Sequence, residues 1–292
     1  MWRRCSARSE VEGPIASGRA PGAQKIYGVF TDSIDELISY RYVGSQSVMH
    51  DRDHAEGRTS IRAHLRTPGS VSGTALAISM MDTAGVNIDR VYLLGLTQVD
   101  IQLYEPALDI ERVRTVGRVI RWARTQVFTE CQFEDDDHPG RVIGIGAANW
   151  SVMSPTPEGF VYTDPGVGLP EGPETPPMTT AYGLEARADR SLVLLALSPR
   201  VGTEVLHHGP MLVGAEQSAL AAATAVAGTD TLALRSWTMR IVKAGRRAPF
   251  TVTARVLASS SELVACRAEM VDGDGEPIAV SHLTYRVMGA RA

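Results

Sequence analysis

Two kinds of apolar pattern run along the chain, and they occur twice in the same order. Residues 74–86 (TALAISMMDTAGV) and 210–226 (PMLVGAEQSALAAATAV) carry small and apolar side chains on every side of a helical turn. Each is interrupted by one carboxylate, Asp82 in the first and Glu216 in the second. Such runs predict helices enclosed by other structure rather than half-solvated ones. Short strand-like runs precede them at 60–66 and 191–199, each followed by a turn with Gly. Stretches rich in β-branched residues follow them, at 117–137 and 254–274. Val127, Thr129, Cys131 and Phe133 alternate with Phe128, Glu130 and Gln132, which predicts a strand with one buried and one wetter face. The Asp- and Gly-rich segments 135–140 and 272–276 predict hairpin turns.

The two halves keep a nearly fixed register. Asp82 and Glu216 stand 134 residues apart, Ala107 and Ala244 137, Arg118 and Arg255 137, and Trp150 and Tyr285 135. Each half therefore predicts a strand, a long helix and about four antiparallel strands, an α+β unit in which the sheet wraps the helix. Six alanines between 219 and 227 predict close approach of sheet and helix. No strand–helix alternation and no GxGxxG after a strand occurs; the GIG at 144–146 lies inside a predicted strand. The segment 163–177 (TDPGVGLPEGPETPP) holds five prolines and three glycines, and so excludes a helix or central strand. The expected organisation is an irregular or disordered tail at 1–27, a first domain at 28–162, a linker at 163–180 and a second domain at 181–292.

Composition narrows the partners. The 292 residues are 44% hydrophobic and 21% charged with a net charge of −4, which is too apolar for disorder and offers no basic field for nucleic acid. The longest apolar run, near 211–228, carries Glu216 and Gln217 and predicts no membrane span. Cys5, Cys131 and Cys266 form neither a CxxC pair nor a disulfide framework and fit a reducing compartment. Arg3 and Arg4 are followed by no apolar core, so a secretory signal is not expected and the protein is placed in the cytoplasm. His50, His54, His64 and His138 lack metal-ligand spacing, and the polar stretch MHDRDHAEGR reads as a solvated face. The acidic run 134–137 reads as the start of a turn, and the absence of GxSxG argues against a serine hydrolase.

The stretch LHHGPMLVGAEQSALAA (206–222) resembles the HGG-helix signature of hotdog-fold acyl-CoA thioesterases of the phenylacetate and 4-hydroxybenzoyl types. That signature has an Asp or Glu nine residues after the His, and Glu216 stands nine after His207. SHLTYRV (281–287), the KAGRR turn (243–247) and TQVDIQLYEPA (97–107) are also similar to that family. Gly73 stands where the first repeat would carry its His, nine before Asp82. Three departures stand out: the first repeat lacks the His, the second reads HHGP, and the family's upstream Asn or Gln falls near Arg200–Val201.

The resemblance implies two tandem hotdogs packed as a pseudo-dimer, with sites shared across the pair and a homodimer of such chains as a further level of assembly. It implies acyl-CoA as the substrate, coenzyme A entering only as part of it, and no metal or other cofactor. Thioester hydrolysis needs donors where charge develops on oxygen, and a carboxylate that activates water. A helix N-terminus supplies the donors, and Pro210 suits its first position because its missing N–H needs no partner there. The first expected site joins the His207, His208 and Gly209 turn, with the backbone N–H of His208 or Gly209 as oxyanion donor, to Asp82, beside Thr97 to orient water. The second joins the Gly73–Thr74 turn to Glu216. Lys243, Arg246 and Arg247 are candidates for the phosphates of coenzyme A, with a basic surface turn as the alternative. A non-catalytic acyl-ligand binder is the competing reading, and a hotdog hydratase is disfavoured because no Asp–x–x–x–x–His pattern occurs.

Overall fold

The computed structural model describes residues 37–89, 91–156 and 175–289. The expected tail, and the linker up to residue 174, lie outside the described residues. The first half opens with helix α1 (Ile38–Val43), stopped by Gly44 at φ 67°. The hairpin β1 (Gln46–Met49) and β2 (His54–Ser60) follows, then a 3-10 turn at Ala63–Leu65 and the short pair β3 (Arg66–Thr67) and β4 (Ser70–Val71). Next come helix α2 (Gly73–Ile88), β5 (Tyr92–Leu103), β6 (Arg112–Trp122), β7 (Gln126–Asp135) and β8 (Val142–Pro155). The second half repeats this order with α3 (Met178–Ala181), β9 (Leu184–Ala186), β10 (Leu192–Leu194), helix α4 (His208–Ala227), β11 (Leu232–Ile241), β12 (Phe250–Ser259), β13 (Leu263–Val271) and β14 (Pro277–Val287).

Twelve of the strands form one antiparallel sheet in the order β1-β2-β6-β7-β8-β5-β11-β14-β13-β12-β10-β9. Its halves meet edge to edge where β5 pairs with β11, from Ser236 opposite Gln102 to Arg240 opposite Gln98. Thr238 Oγ1 donates to Asp100 Oδ1 at 2.6 Å across this seam. The predicted alternation on β7 is observed, with Val127, Thr129, Cys131 and Phe133 buried between half-buried neighbours. Both predicted hairpin turns join their strands, β7 to β8 and β13 to β14.

Both long helices form where the small-residue runs predict them. All sixteen residues of α2 are buried, and Ser72 caps its start by accepting from the Ala75 N–H. The second helix differs. Of its six C-terminal alanines, Ala219 and Ala223 are buried while Ala221 and Ala225 are exposed, so the expected close approach holds on one face only. Pro210 is the third helical residue rather than the first; its nitrogen still falls among those with no intrahelical acceptor, so the substitution is tolerated.

Two strand expectations are corrected. Residues 60–66 are mostly a turn that buries Ile61 and Leu65, while the Arg66 guanidinium donates to the Ala107 and Leu108 carbonyls. The strand lies earlier, in β2, inside the stretch that reads as a solvated face. Its inward side is Ala55, Gly57 and Thr59, too small and polar to give an apolar signal. Of 191–199, only Leu192–Leu194 is strand.

Candidate functional site

The helices face each other reciprocally, and the two crossings differ. At one, Glu216 reaches the start of α2. Its Oε1 accepts from the Gly73 N–H at 2.6 Å, and its Oε2 from Ser72 Oγ at 2.7 Å and the Thr74 N–H at 3.0 Å. The carboxylate is buried and fills the helix N-terminus it faces, so the donors expected to face a substrate there are engaged. At the other crossing a cavity of about 450 Å³ opens between the start of α4 and the middle of α2. Asp82, Thr97, His207, His208, Lys243 and Arg246 all line it. Six of the nine candidate residues therefore share one space, while Gly209, Glu216 and Arg247 are not among the lining residues.

The start of α4 has no side-chain cap. The His207 N–H donates to the Val201 carbonyl at 2.8 Å, while His208, which lines the cavity, is the first helical residue, whose N–H has no acceptor within the helix. Arg200 and Val201, where the resemblance would have an amide side chain, hold this turn: the Arg200 carbonyl accepts from the Ile38 N–H at 2.9 Å. His207 is buried with Nδ1 3.2 Å from Ser39 Oγ, and burial pushes its imidazole down to about 3. The His208 ring stacks on it with centroids 3.7 Å apart, and burial beside His207 lowers it as well. Both rings are therefore neutral at physiological pH. The buried Nε2 of His208 has no hydrogen-bond partner among the described residues.

Asp82 is 3% exposed, and Ser47 Oγ on β1 donates to its Oδ2 at 2.7 Å. Thr97 sits at the bulge between Leu96 and Gln98, and its hydroxyl donates to the Asn149 carbonyl at 2.9 Å. It can therefore accept from, but not donate to, a molecule in the cavity. Lys243 donates to Asp272 Oδ2 at 2.9 Å, which raises its ammonium pKa. Arg246 is exposed and unpaired among the described residues; Arg247 instead pairs with Asp274 at 2.9 Å, away from the cavity. Among the described residues no group of three or more His, Cys, Asp or Glu could hold a metal ion; His54 contacts Asp51 in an exposed turn.

Gly209 stands behind the cavity wall. A Cβ there would overlap Ser39 Oγ and lie 2.9 Å from Tyr182 Cε1. Gly209→Ala should therefore displace Ser39 from His207 and lower stability by about 1–3 kcal/mol, the usual range for overpacking. A denaturation midpoint equal to wild type would contradict that packing.

No sequence pattern points to Tyr40 on α1, whose ring meets both histidines edge-on, with centroids 5.6 and 6.2 Å away. Ser47 was also missed, because it reaches Asp82 from a strand 35 residues earlier. Asp89 is a further residue absent from the sequence candidates, although its spacing is a signal for it: it follows Asp82 by seven residues and lines the same cavity.

No protein-family model and no curated protein sequence matches the chain. Solved structures do. The tesB protein of Mycobacterium avium subs paratuberculosis superposes with a TM-score of 0.57 at 14% identity, over 83% of this chain and 96% of that one. An acyl-CoA thioesterase II, TesB2, from Mycobacterium marinum matches at 0.51 and 13% identity, over 85% and 97%. A conserved protein with hot dog fold from Alicyclobacillus acidocaldarius matches at 0.50 and 12% identity, over 84% and 97%. The chain has the hotdog fold. No described helix is long and apolar enough to cross a membrane.

Proposed function

We propose that this protein is a cytoplasmic acyl-CoA thioesterase with one working site, and that its two sheet-and-helix units form a pseudo-twofold pair. The observation that carries the reading is the shared cavity, in which the Asp82 carboxylate and the uncapped start of α4 face one space. Asp82 takes a proton from water, and the hydroxide adds to the thioester carbon. The His208 N–H and the positive end of the α4 dipole stabilise the oxyanion. Collapse breaks the C–S bond and releases a carboxylic acid and the coenzyme A thiol, which receives the proton Asp82 took. Ser47 orients Asp82, and the neutral histidines shape the turn. In this reading Glu216 is a structural cap, and coenzyme A enters only with the substrate.

One structural neighbour points the same way by name, the acyl-CoA thioesterase II TesB2. A binder without turnover is the competing reading. It is favoured by the position near Arg200–Val201, where the backbone is committed to the turn and no amide side chain is present. The deciding experiment is thiol release from a panel of aliphatic and aromatic acyl-CoAs. Release above the buffer rate supports the hydrolase; saturable binding without release supports the binder.

Among the described residues, Arg246 is the unpaired cation at the cavity wall. Arg246→Ala should raise KM for acyl-CoA about 3–10-fold with little change in kcat, and the effect should shrink at high salt. Arg247→Ala, which removes a residue already paired with Asp274, should change KM less. The ranking of the two KM values checks which arginine meets the phosphates.

A further inference from the structure

Asp89 is a second carboxyl group in the cavity, half-buried and without a side-chain partner among the described residues. It closes the C-terminal end of α2, where the helix dipole disfavours negative charge. Asp82, Gly85 and Asp89 all line the cavity from one face of this helix. A Cβ built on Gly85 would have only Asp89 Oδ2 within reach, at 3.7 Å. The Asp89 side chain therefore folds back over the glycine toward Asp82, roughly one helical turn or ~5 Å from it.

Only its backbone is engaged among the described residues: the N–H donates to the Gly85 carbonyl at 2.8 Å, and the carbonyl accepts from Thr156 Oγ1 at 2.6 Å. The other titratable groups facing the cavity are Tyr40 on α1, Asp82 on α2, His207 and His208 at the start of α4, and Lys243 and Arg246 after β11. Burial, and then the charge of Asp82, push the Asp89 carboxyl up to about 7. Near neutrality a large share of it is the acid form, which both donates and accepts hydrogen bonds. The cavity wall also holds Leu94, Leu96, Trp150 and Met153, with the indole N–H of Trp150 given to Thr129, and among the described residues no side chain hydrogen-bonds the Asp89 carboxyl.

A plain alkyl chain in this space would desolvate the Asp89 carboxyl and give it nothing in return. We infer that Asp89 is a specificity-determining residue that hydrogen-bonds a hydroxyl or keto substituent on the acyl group, so that the cavity selects oxygenated acyl chains over plain ones of equal length. The inference rests on the acyl-CoA reading of this cavity and deepens it.

The test compares octanoyl-CoA with 3-hydroxyoctanoyl-CoA. Hydrolysis is measured alongside equilibrium binding of the non-hydrolysable thioether analogue of each. The wild type should prefer the hydroxylated member about tenfold in kcat/KM and in Kd. Asp89→Leu should abolish that preference by weakening the hydroxylated member alone, and Asp89→Asn, which keeps a donor and an acceptor, should retain most of it. If Asp89→Leu does not fold, Asp89→Ala makes the comparison. A merely structural role would lower both members alike; that result, or a wild type indifferent to the hydroxyl, overturns the inference. If the analogues bind with the expected ratio but no thioester is cleaved, the hydrolase reading falls and this one stands. If neither analogue binds, both fall.

Discussion

Asp82→Asn should lower thioester turnover by about 10²–10⁴-fold, the range for loss of a general base. The substitution keeps the side chain's volume, and its Oδ1 can still accept from Ser47 Oγ, which meets Asp82 at 2.7 Å. The fold and KM should therefore change little while kcat collapses, which separates chemistry from packing. Ser47→Ala is a companion of smaller effect. It frees the carboxylate to rotate without removing it, and its loss in kcat should be partly restored by Ser47→Thr. Wild-type turnover by Asp82→Asn with an unchanged thermal melt would remove Asp82 from the mechanism, and with it the assignment of the site to this crossing.

The sequence carries much of the fold because burial imposes composition at nearly every position of α2. A helix with all sixteen residues enclosed can be read from its own letters. The strands on its far side were less legible. β2 buries Ala55, Gly57 and Thr59, because Thr83 of α2 packs into the space a larger residue at Gly57 would take. Small inward residues are the condition for that approach, and they erase the hydrophobic alternation that marks a strand. The same limit applies at the site. Asp82 and the His207–Gly209 turn stand out as a carboxylate in an apolar run and a Gly-Pro helix start. Tyr40 and Trp150 reach the cavity from α1 and the sheet, Ser47 reaches Asp82 from β1, and no local pattern ties them to the site. The roles of Asp82 and Glu216 also look interchangeable in sequence. One extra methylene lets Glu216 reach the amides of Gly73 and Thr74, and three hydrogen bonds make it part of the frame.

That difference makes Glu216 the position with the largest expected effect on stability. Its two oxygens receive three donors, two of them backbone N–H groups at the positive end of α2, all buried. Glu216→Gln replaces one acceptor oxygen by an NH2 that must face a donor, so at least one of these bonds is lost and the charge that complements the helix dipole goes with it. Charge-assisted hydrogen bonds of this kind are each worth about 1.5–3 kcal/mol, so a loss of about 2–4 kcal/mol is expected. In a chain of this size that corresponds to a fall in Tm of roughly 3–7 °C. Glu216→Ala should fall further, since it leaves the same donors buried with no partner. Turnover measured well below the melt should stay within a factor of about three of wild type, because Glu216 is not among the residues lining the cavity. The pair of measurements is the check. A Glu216→Gln protein that melts normally but has lost turnover would make this carboxylate the catalytic one and would reverse the assignment of the two crossings.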